Sequence, residues 1–452
     1  MSKRAKYTIP LILLALVLFV GGFIAVPRVV GALPGEYRVR LARIPLVEPI
    51  LEIGTTPLPT ALPAPSIVAT LPRITIPAVL PATATPTAEP TSTPELAEEV
   101  VDTQEVTPTA TSTATPSPTA TPTPVPLPRQ ARIEGLEIVA QGFNNCGPAN
   151  LTMNLNFYGN DTTQNEAAAF LKPNREDRNV SPWQLSDYVN EHTSLRSTAH
   201  SGGDLELIKR FVAAGFPIVI EKGYEPTPKD GWLGHYLTVF GYDENKQELY
   251  GMDTYLGPWD NSGRADSYET VEYYWQQFNY TFFVVYPPEK ERLVFDLLGP
   301  DLLDEATMWQ NAAQRAQAAI DSDPENAFAW FNLGTSLTRL GEMTGESEYY
   351  ENGAAAFDQA RILGIPPRIV WYQFRPYTAY MRVGRYQDMI DLADVTLTTQ
   401  GGRNVEETYL FKGHALALQG DAQGAIEAYE QAIRLNEFFY PARWALDSIT
   451  GS

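Results

Sequence analysis

The chain is nearly without cysteine, with one in 452 residues. A lone thiol forms no internal disulfide, and a structural zinc site usually needs more than one such ligand. Oxidative stapling therefore has no part in stability, and the scarcity fits a chain that works outside a reducing cytosol. Basic residues are also short, 33 against 54 acidic, for a formal charge of −21. Phosphate backbones are bound by basic surfaces, so nucleic acid is excluded as the main partner. Histidine is scarce as well, with four residues: His192, His200, His235 and His414. No pattern of metal ligands or cofactor-binding residues emerges, and none is expected.

What is present begins with the setting of that cysteine, Gln141-Gly-Phe-Asn-Asn-Cys146-Gly-Pro-Ala149. A buried apolar cysteine usually lies within an apolar helix or strand. Cys146 instead follows two Asn and precedes Gly-Pro, at a turn that opens a helix expected over 149–158. A helix N-terminus offers unpaired backbone N–H groups and positive potential, a setting in which cysteines act as nucleophiles. From position alone, a nucleophile and an inert packing or surface thiol are equal readings.

Composition divides the chain. Residues 9–26 form an 18-residue stretch without charge, preceded by Lys3, Arg4 and Lys6. At about 1.5 Å per residue such a helix nearly crosses a hydrocarbon core of about 30 Å. It exceeds the roughly 7–15 residues of a signal-peptide core, so residues 1–27 are expected to be a short tail and an uncleaved transmembrane signal-anchor. Cleavage near Gly31-Ala32 is the alternative. Arg28, Arg38, Arg40 and Arg43 follow the stretch, so flanking charge alone does not set orientation. The linker that comes next favours a single-pass protein of the cell membrane with its C-terminal domains extracytoplasmic.

Residues 28–130 read as that linker, and from 44 to 128 globular character is lost to Thr-Pro, Ala-Thr-Pro and Ser-Pro runs. Repeated proline removes backbone donors and fixes φ, so neither helix nor sheet propagates. A disordered, extended Pro/Thr stalk is expected, of about 85 residues and an upper reach of roughly 260 Å at about 3.1 Å each. It is read as a spacer with no recognition role.

Globular patterning resumes over 131–290. An opening strand is expected over 132–139, helices over 166–171, 181–189 and 205–214, and a buried strand over 215–221. Strands over 235–241 and 248–253 follow, joined by a turn at 243–247, and a last strand covers 280–286. Helices first and a largely antiparallel sheet after them make an α+β domain.

Cysteine chemistry needs a base, a group to orient that base, and a donor for the developing oxyanion. Of the histidines, only His235 begins a strongly apolar strand. His192 and His200 lie in polar stretches, and His414 on a later helix. Asp253 ends the neighbouring strand, so a hairpin brings its carboxylate close to the imidazole. Gln141, five residues before Cys146, is placed to present its amide to the same cleft. The segment 223–232 is expected to line the cleft mouth, with Tyr255, Trp259 and the loop 257–267 on the opposite wall.

Together, Gln141…Asn145-Cys146-Gly147-Pro148-Ala149, Gly234-His235-Tyr236…Gly241-Tyr242-Asp243 and Met252-Asp253 resemble the C39-like cysteine peptidase family, of papain-like fold. The resemblance implies Cys146 as nucleophile, His235 as general base and acid, Asp253 as imidazole orienter and Gln141 as oxyanion-hole donor. Where the family often has Asp-Pro, this chain has Asp253-Thr254. The exporter-type nucleotide-binding motif that accompanies bacteriocin-processing relatives is absent from the sequence.

Residues 300–450 carry a different pattern: Trp330-x-x-Leu333-Gly334-x-x-Leu337 with Gly341, then Tyr409-x-x-Lys412-Gly413-x-x-Leu416 with Gly420, Ala425, Tyr429 and Ala432. Ala312, Ala316 and Ala319 precede Pro324 at matching offsets. A middle copy around Trp371, Tyr380, Gly384 and Tyr386 is degenerate, and an insertion falls near 343–348. The pattern is similar to tetratricopeptide repeats, which place small residues where paired helices touch. About three repeats suffice to stack an all-α solenoid, which implies a protein partner at that domain.

The expected whole is a membrane-anchored cysteine peptidase that hydrolyses a peptide or amide bond of a peptide or protein substrate. A non-catalytic peptide-binding adaptor on a papain-like fold, or a cell-wall amidase, are the alternatives.

Overall fold

The computed structural model describes residues 61–66, 126–226, 231–399 and 401–451. The apolar stretch 9–26 and nearly all of the linker lie outside the described residues. Among the described residues no helix is long and apolar enough to cross a membrane. The described residues from 128 onward fall in one compact unit with 61–66.

The first half is an antiparallel sheet with helices on both faces. In chain order the elements are β1 (Gln130–Arg132), α1 (Cys146–Phe157), α2 (Gln164–Leu171), α3 (Pro182–His192), β2 (Arg196–His200), α4 (Leu205–Ala213) and β3 (Ile218–Tyr224). β4 (Leu233–Asp243), β5 (Glu248–Met252), β6 (Arg264–Ser267), α5 (Tyr268–Trp275), β7 (Phe282–Tyr286) and α6 (Glu291–Leu298) follow. The strand order is β2-β7-β3-β4-β5-β6, with β1 added beside β4. Every pairing is antiparallel.

Period-two side-chain alternation feeds two cores. Ile218, Ile220, Leu237 and Val239 pack with Leu207, Ile208 and Phe211 of α4. Val219, Tyr236, Phe283 and Val285 pack instead with Leu151, Leu155, Leu185 and Val189 of α1 and α3. Burial on both faces explains why β3, β4 and β7 read as continuous apolar runs.

Two expected elements are shorter than their patterns. The strand foreseen over 132–139 stops at Arg132. Gly135 takes φ +82° and the Ile138 N–H turns to the Asn261 side chain (2.8 Å) instead of a neighbouring strand. The strand foreseen from 215 starts at Ile218, because Gly215, at φ +87°, still terminates α4 and Pro217 has no N–H to pair.

The second half is helical: α7 (Pro300–Leu303), α8 (Glu305–Ser322), α9 (Ala327–Thr344), α10 (Ser347–Ile362), α11 (Arg375–Arg382), α12 (Tyr386–Leu397), α13 (Glu406–Leu418), α14 (Ala422–Leu435) and α15 (Tyr440–Thr450). Small residues sit where helices meet. A Cβ on Gly413 would lie 2.4 Å from the Tyr429 ring, and one on Gly334 would lie 2.8 Å from Phe357. The degenerate middle copy is a 3-10 turn, Pro367–Trp371, followed by the short α11.

The two halves pack directly. Arg315 donates to the Gly203 carbonyl (2.7 Å), Asn279 to the Ser336 hydroxyl (3.0 Å) and Arg368 to the Trp232 carbonyl (3.1 Å). Residues 61–66, expected within an uninvolved spacer, lie against the helical half, with Leu62 buried in its core.

Candidate active site

Cys146 is the first residue of α1, three positions earlier than expected. The Ala149 N–H already donates to the Asn145 carbonyl (2.9 Å). Pro148 fits there because first-turn N–H groups have no partner within a helix. The turn before it is held by Gln164, which accepts from the Gly142 N–H (2.8 Å) and donates to the Ala140 carbonyl (2.8 Å). Asn144 takes φ +56° in this turn.

A buried amide fixes α1 to the sheet. Asn150 donates to the carbonyls of Cys146 (2.9 Å) and Tyr236 (3.2 Å) and to the Thr254 hydroxyl (3.3 Å). Its Oδ1 accepts from the Thr238 hydroxyl (2.8 Å). One side chain thus ties the cysteine turn, the histidine strand and the residue after Asp253 together.

His235 lies on β4 and is 4 % exposed; Asp253, just past β5, is 1 % exposed. The β4–β5 hairpin brings them together with His235 Nε2 at 3.3 Å from Asp253 Oδ1. Oδ1 also accepts from the N–H groups of Tyr255 and Leu256 (2.9 Å each), and Oδ2 lies 3.5 Å from Arg264 Nη1. The Tyr224 ring stacks on the imidazole at 4.8 Å. Burial opposes charge on His235, but the Asp253 carboxylate and a hydrogen bond with the Cys146 side chain outweigh it and raise its pKa. Burial likewise opposes charge on Asp253, and the imidazole, backbone N–H groups and Lys222 hold its carboxyl well below the usual range.

Gln141 is anchored at this corner, beside the residue that follows Asp253. Its N–H donates to the Thr254 carbonyl (2.9 Å), and its Oε1 accepts from the Thr254 hydroxyl (2.9 Å). That bond turns the amide so that its NH2 end points away from Thr254. The other three histidines are elsewhere: His200 is buried beside Thr198 with its pKa pushed down to about 4, and His414 bonds the Tyr429 hydroxyl. His192 packs near Phe170.

A narrow cleft is lined by Cys146 and His235, together with Asn144, Glu221, Tyr236 and Tyr372 among others. Of the segment expected at its mouth, residues 227–230 lie outside the described residues. Arg178, Asn179 and Val180 form one side, and Tyr372 reaches in from the helical half. Trp232 is not at the mouth. It is buried, stacked on Phe278 at 5.6 Å and edge-on to Tyr372 at 5.9 Å. Gly234 permits this approach, since a Cβ there would sit 3.1 Å from the Tyr372 ring. Glu221 stands at the cleft beside the Tyr236 hydroxyl (3.3 Å), and burial pushes its carboxyl well up, towards the neutral form. Tyr372, Glu221, Asn150 and Gln164 carry no motif. Only the continuous apolar run that leads into 221 hinted that an acid there would be buried. Among the described residues no group of three or more His, Cys, Asp or Glu is placed to hold a metal ion.

Residues 123–282 match the Peptidase_C39 like family, and residues 406–439 match the tetratricopeptide repeat. The chain therefore carries a C39-like peptidase domain followed by a tetratricopeptide repeat. The crystal structure of a protein described as a C39-like peptidase from Bacillus anthracis is similar at 16 % identity. It covers 34 % of this chain and 96 % of that one, with a TM-score of 0.29. No curated protein matches.

Proposed function

We propose that the protein is a thiol-dependent hydrolase of peptide or amide bonds, held at the membrane by residues 9–26 with its folded unit extracytoplasmic. The observation that carries the chemistry is His235, hydrogen-bonded to Asp253 and lining one cleft with Cys146. Asp253 takes Nε2, which leaves Nδ1 for the sulfur. Cys146 Sγ adds to the substrate carbonyl carbon, and the oxyanion is held by the Cys146 N–H at the helix start and by the Gln141 amide. His235 then passes the thiol proton to the departing amine as the C–N bond breaks. Water, deprotonated by His235, cleaves the thioester and restores the thiol. The peptidase-family match supports this chemistry, and the repeat supports a protein partner beside it.

Labelling with an electrophilic peptide tests the reading. Modification is expected at Cys146, lost in Cys146→Ala and slowed roughly a hundredfold or more in His235→Ala. Slow labelling that is indifferent to His235 sinks it. Release of cell-wall fragments in place of peptides would assign the same chemistry to an amidase.

One observation favours a second reading, a peptide-binding adaptor: Tyr372 narrows the cleft from the repeat side. If Tyr372 is a gate on an enzyme, Tyr372→Ala speeds labelling of Cys146. An unchanged slow rate in that variant favours the adaptor.

A further inference from the structure

The helical half holds a buried charge network that the hydrolase does not use. Arg361 on α10 contacts Asp388 on α12 (2.9 Å), and Arg385 contacts Asp358 (2.6 Å) and Asp388 (3.0 Å). The Tyr380 hydroxyl donates to Asp358 (2.8 Å) and accepts from Arg361 (3.0 Å). The side chains of Arg361 and Asp388 are 3 % and 1 % exposed. Buried ions need every donor and acceptor engaged. Here residues 61–66 complete the set: Arg361 Nε and Nη2 donate to the Pro63 carbonyl (2.9 and 2.5 Å). The Ser66 N–H donates to Asp388 Oδ1 (3.0 Å), and its hydroxyl donates to Oδ2. Leu62 enters the core beside Phe331, Phe357 and Tyr380, and Pro65 is buried while Ala64 faces out.

We propose that this pocket is a peptide-binding site for the sequence Leu-Pro-x-Pro-Ser, and that Leu62 to Ser66 of the same chain is its resident ligand. Each position has a reason. Leucine fills the apolar end, and the first proline offers a carbonyl to Arg361 without bringing an N–H that would need a partner. The serine supplies both donors to Asp388. Prolines hold the segment extended, so little order is lost on docking. Leu-Pro-x-Pro occurs once in the chain, although Leu-Pro also occurs at Leu33, Leu58, Leu71, Leu80 and Leu127 within the linker. Occupancy tethers the folded unit from residue 61 rather than from residue 126. The inference rests on reading the repeats as a protein-binding surface and narrows that reading to one peptide.

The test uses the full chain in detergent, as Cys146→Ala so that cleavage plays no part, and a fluorescent peptide of residues 58–69. A second chain replaces residues 61–66 with Gly and Ser. Fluorescence anisotropy is expected to show saturable binding to the replaced chain. Binding to the intact chain is expected to be roughly tenfold or more weaker, because the resident segment competes at high effective concentration. Peptides carrying Leu62→Asp or Ser66→Ala lose affinity by roughly tenfold or more. In the intact chain, Leu62→Asp speeds hydrogen exchange in α10 and α12, a readout that does not need the replaced chain to fold. No saturable binding, equal binding by both chains, or unchanged exchange overturns the proposal. A replaced chain that ignores the peptide yet binds another protein through the repeats overturns it while leaving the broader reading intact.

Discussion

At the scale of single residues, the relation between His235 and Asp253 sets the expected pH behaviour. A carboxylate bonded to Nε2 favours the imidazolium, and the folded pKa of His235 lies above its ordinary value of 6.5. The acid that protonates the leaving amine is therefore retained to higher pH than for a free imidazole, and the alkaline limb of kcat/KM should lie above 6.5. Asp253→Asn removes the anion, so that limb should move to lower pH while kcat/KM falls roughly a hundredfold. A pH–rate profile whose alkaline limb stays in place in the Asn variant would deny Asp253 this role. Cys146, His235 and Asp253 were legible in the sequence because each sits at an element end with small or polar neighbours. Asn150 and Gln164 were not. Beyond the Cys146 carbonyl their partners lie 19 to 104 residues away, and only the folded chain brings Tyr236 and Thr254 to the same amide as the Cys146 turn.

At the scale of elements, the apolar strands and the repeat helices were readable, and the polar pieces were not. β3, β4 and β7 announce themselves through apolar runs covered on both faces. β2, Arg-Ser-Thr-Ala-His, and β6, Arg-Ala-Asp-Ser, hold their places through backbone pairing with β7 and β5, which leaves no hydrophobic signature. Glycine at 413 was legible by its spacing, and the reason is steric. The helix α13 meets α14 so closely that a Cβ on Gly413 would lie 2.4 Å from Tyr429. Tyr429 is buried and its hydroxyl meets His414 Nδ1 at 2.9 Å, so the ring has little room to withdraw. Gly413→Ala should cost about 1–3 kcal/mol despite the better helix propensity of alanine. Urea unfolding followed by circular dichroism checks this, and a variant as stable as the parent would mean the ring moves freely.

At the scale of the whole molecule, the sequence separates two domains, whereas the structure joins them through a surface with an unusual charge balance. Asp177, in the loop before α3, faces Glu406 and Glu407 at the start of α13, with Lys172 beside them. The Glu406 and Glu407 Oε2 atoms are enclosed without a hydrogen-bond partner. Burial pushes Asp177 and Glu407 well above the usual carboxylate range and raises Glu406, and repulsion from Glu406 adds to the shifts of Asp177 and Glu407. The shifts make the joint pH-sensitive in a definite direction. An acid whose folded pKa is raised binds its proton more tightly in the folded state. Its contribution is complete below the ordinary carboxyl value of about 4.5 and is lost as pH rises through the folded value. Stability should therefore decline from mildly acidic to mildly alkaline pH as these carboxyls are forced to ionise. Glu407→Gln keeps the shape and removes one ionisation, so it should add about 1 kcal/mol or more at pH 8 and little at pH 5. Melting curves of both chains across that range test the point. A Glu407→Gln chain that gains nothing at pH 8 would mean that the carboxylate is already solvated and that Lys172 balances it.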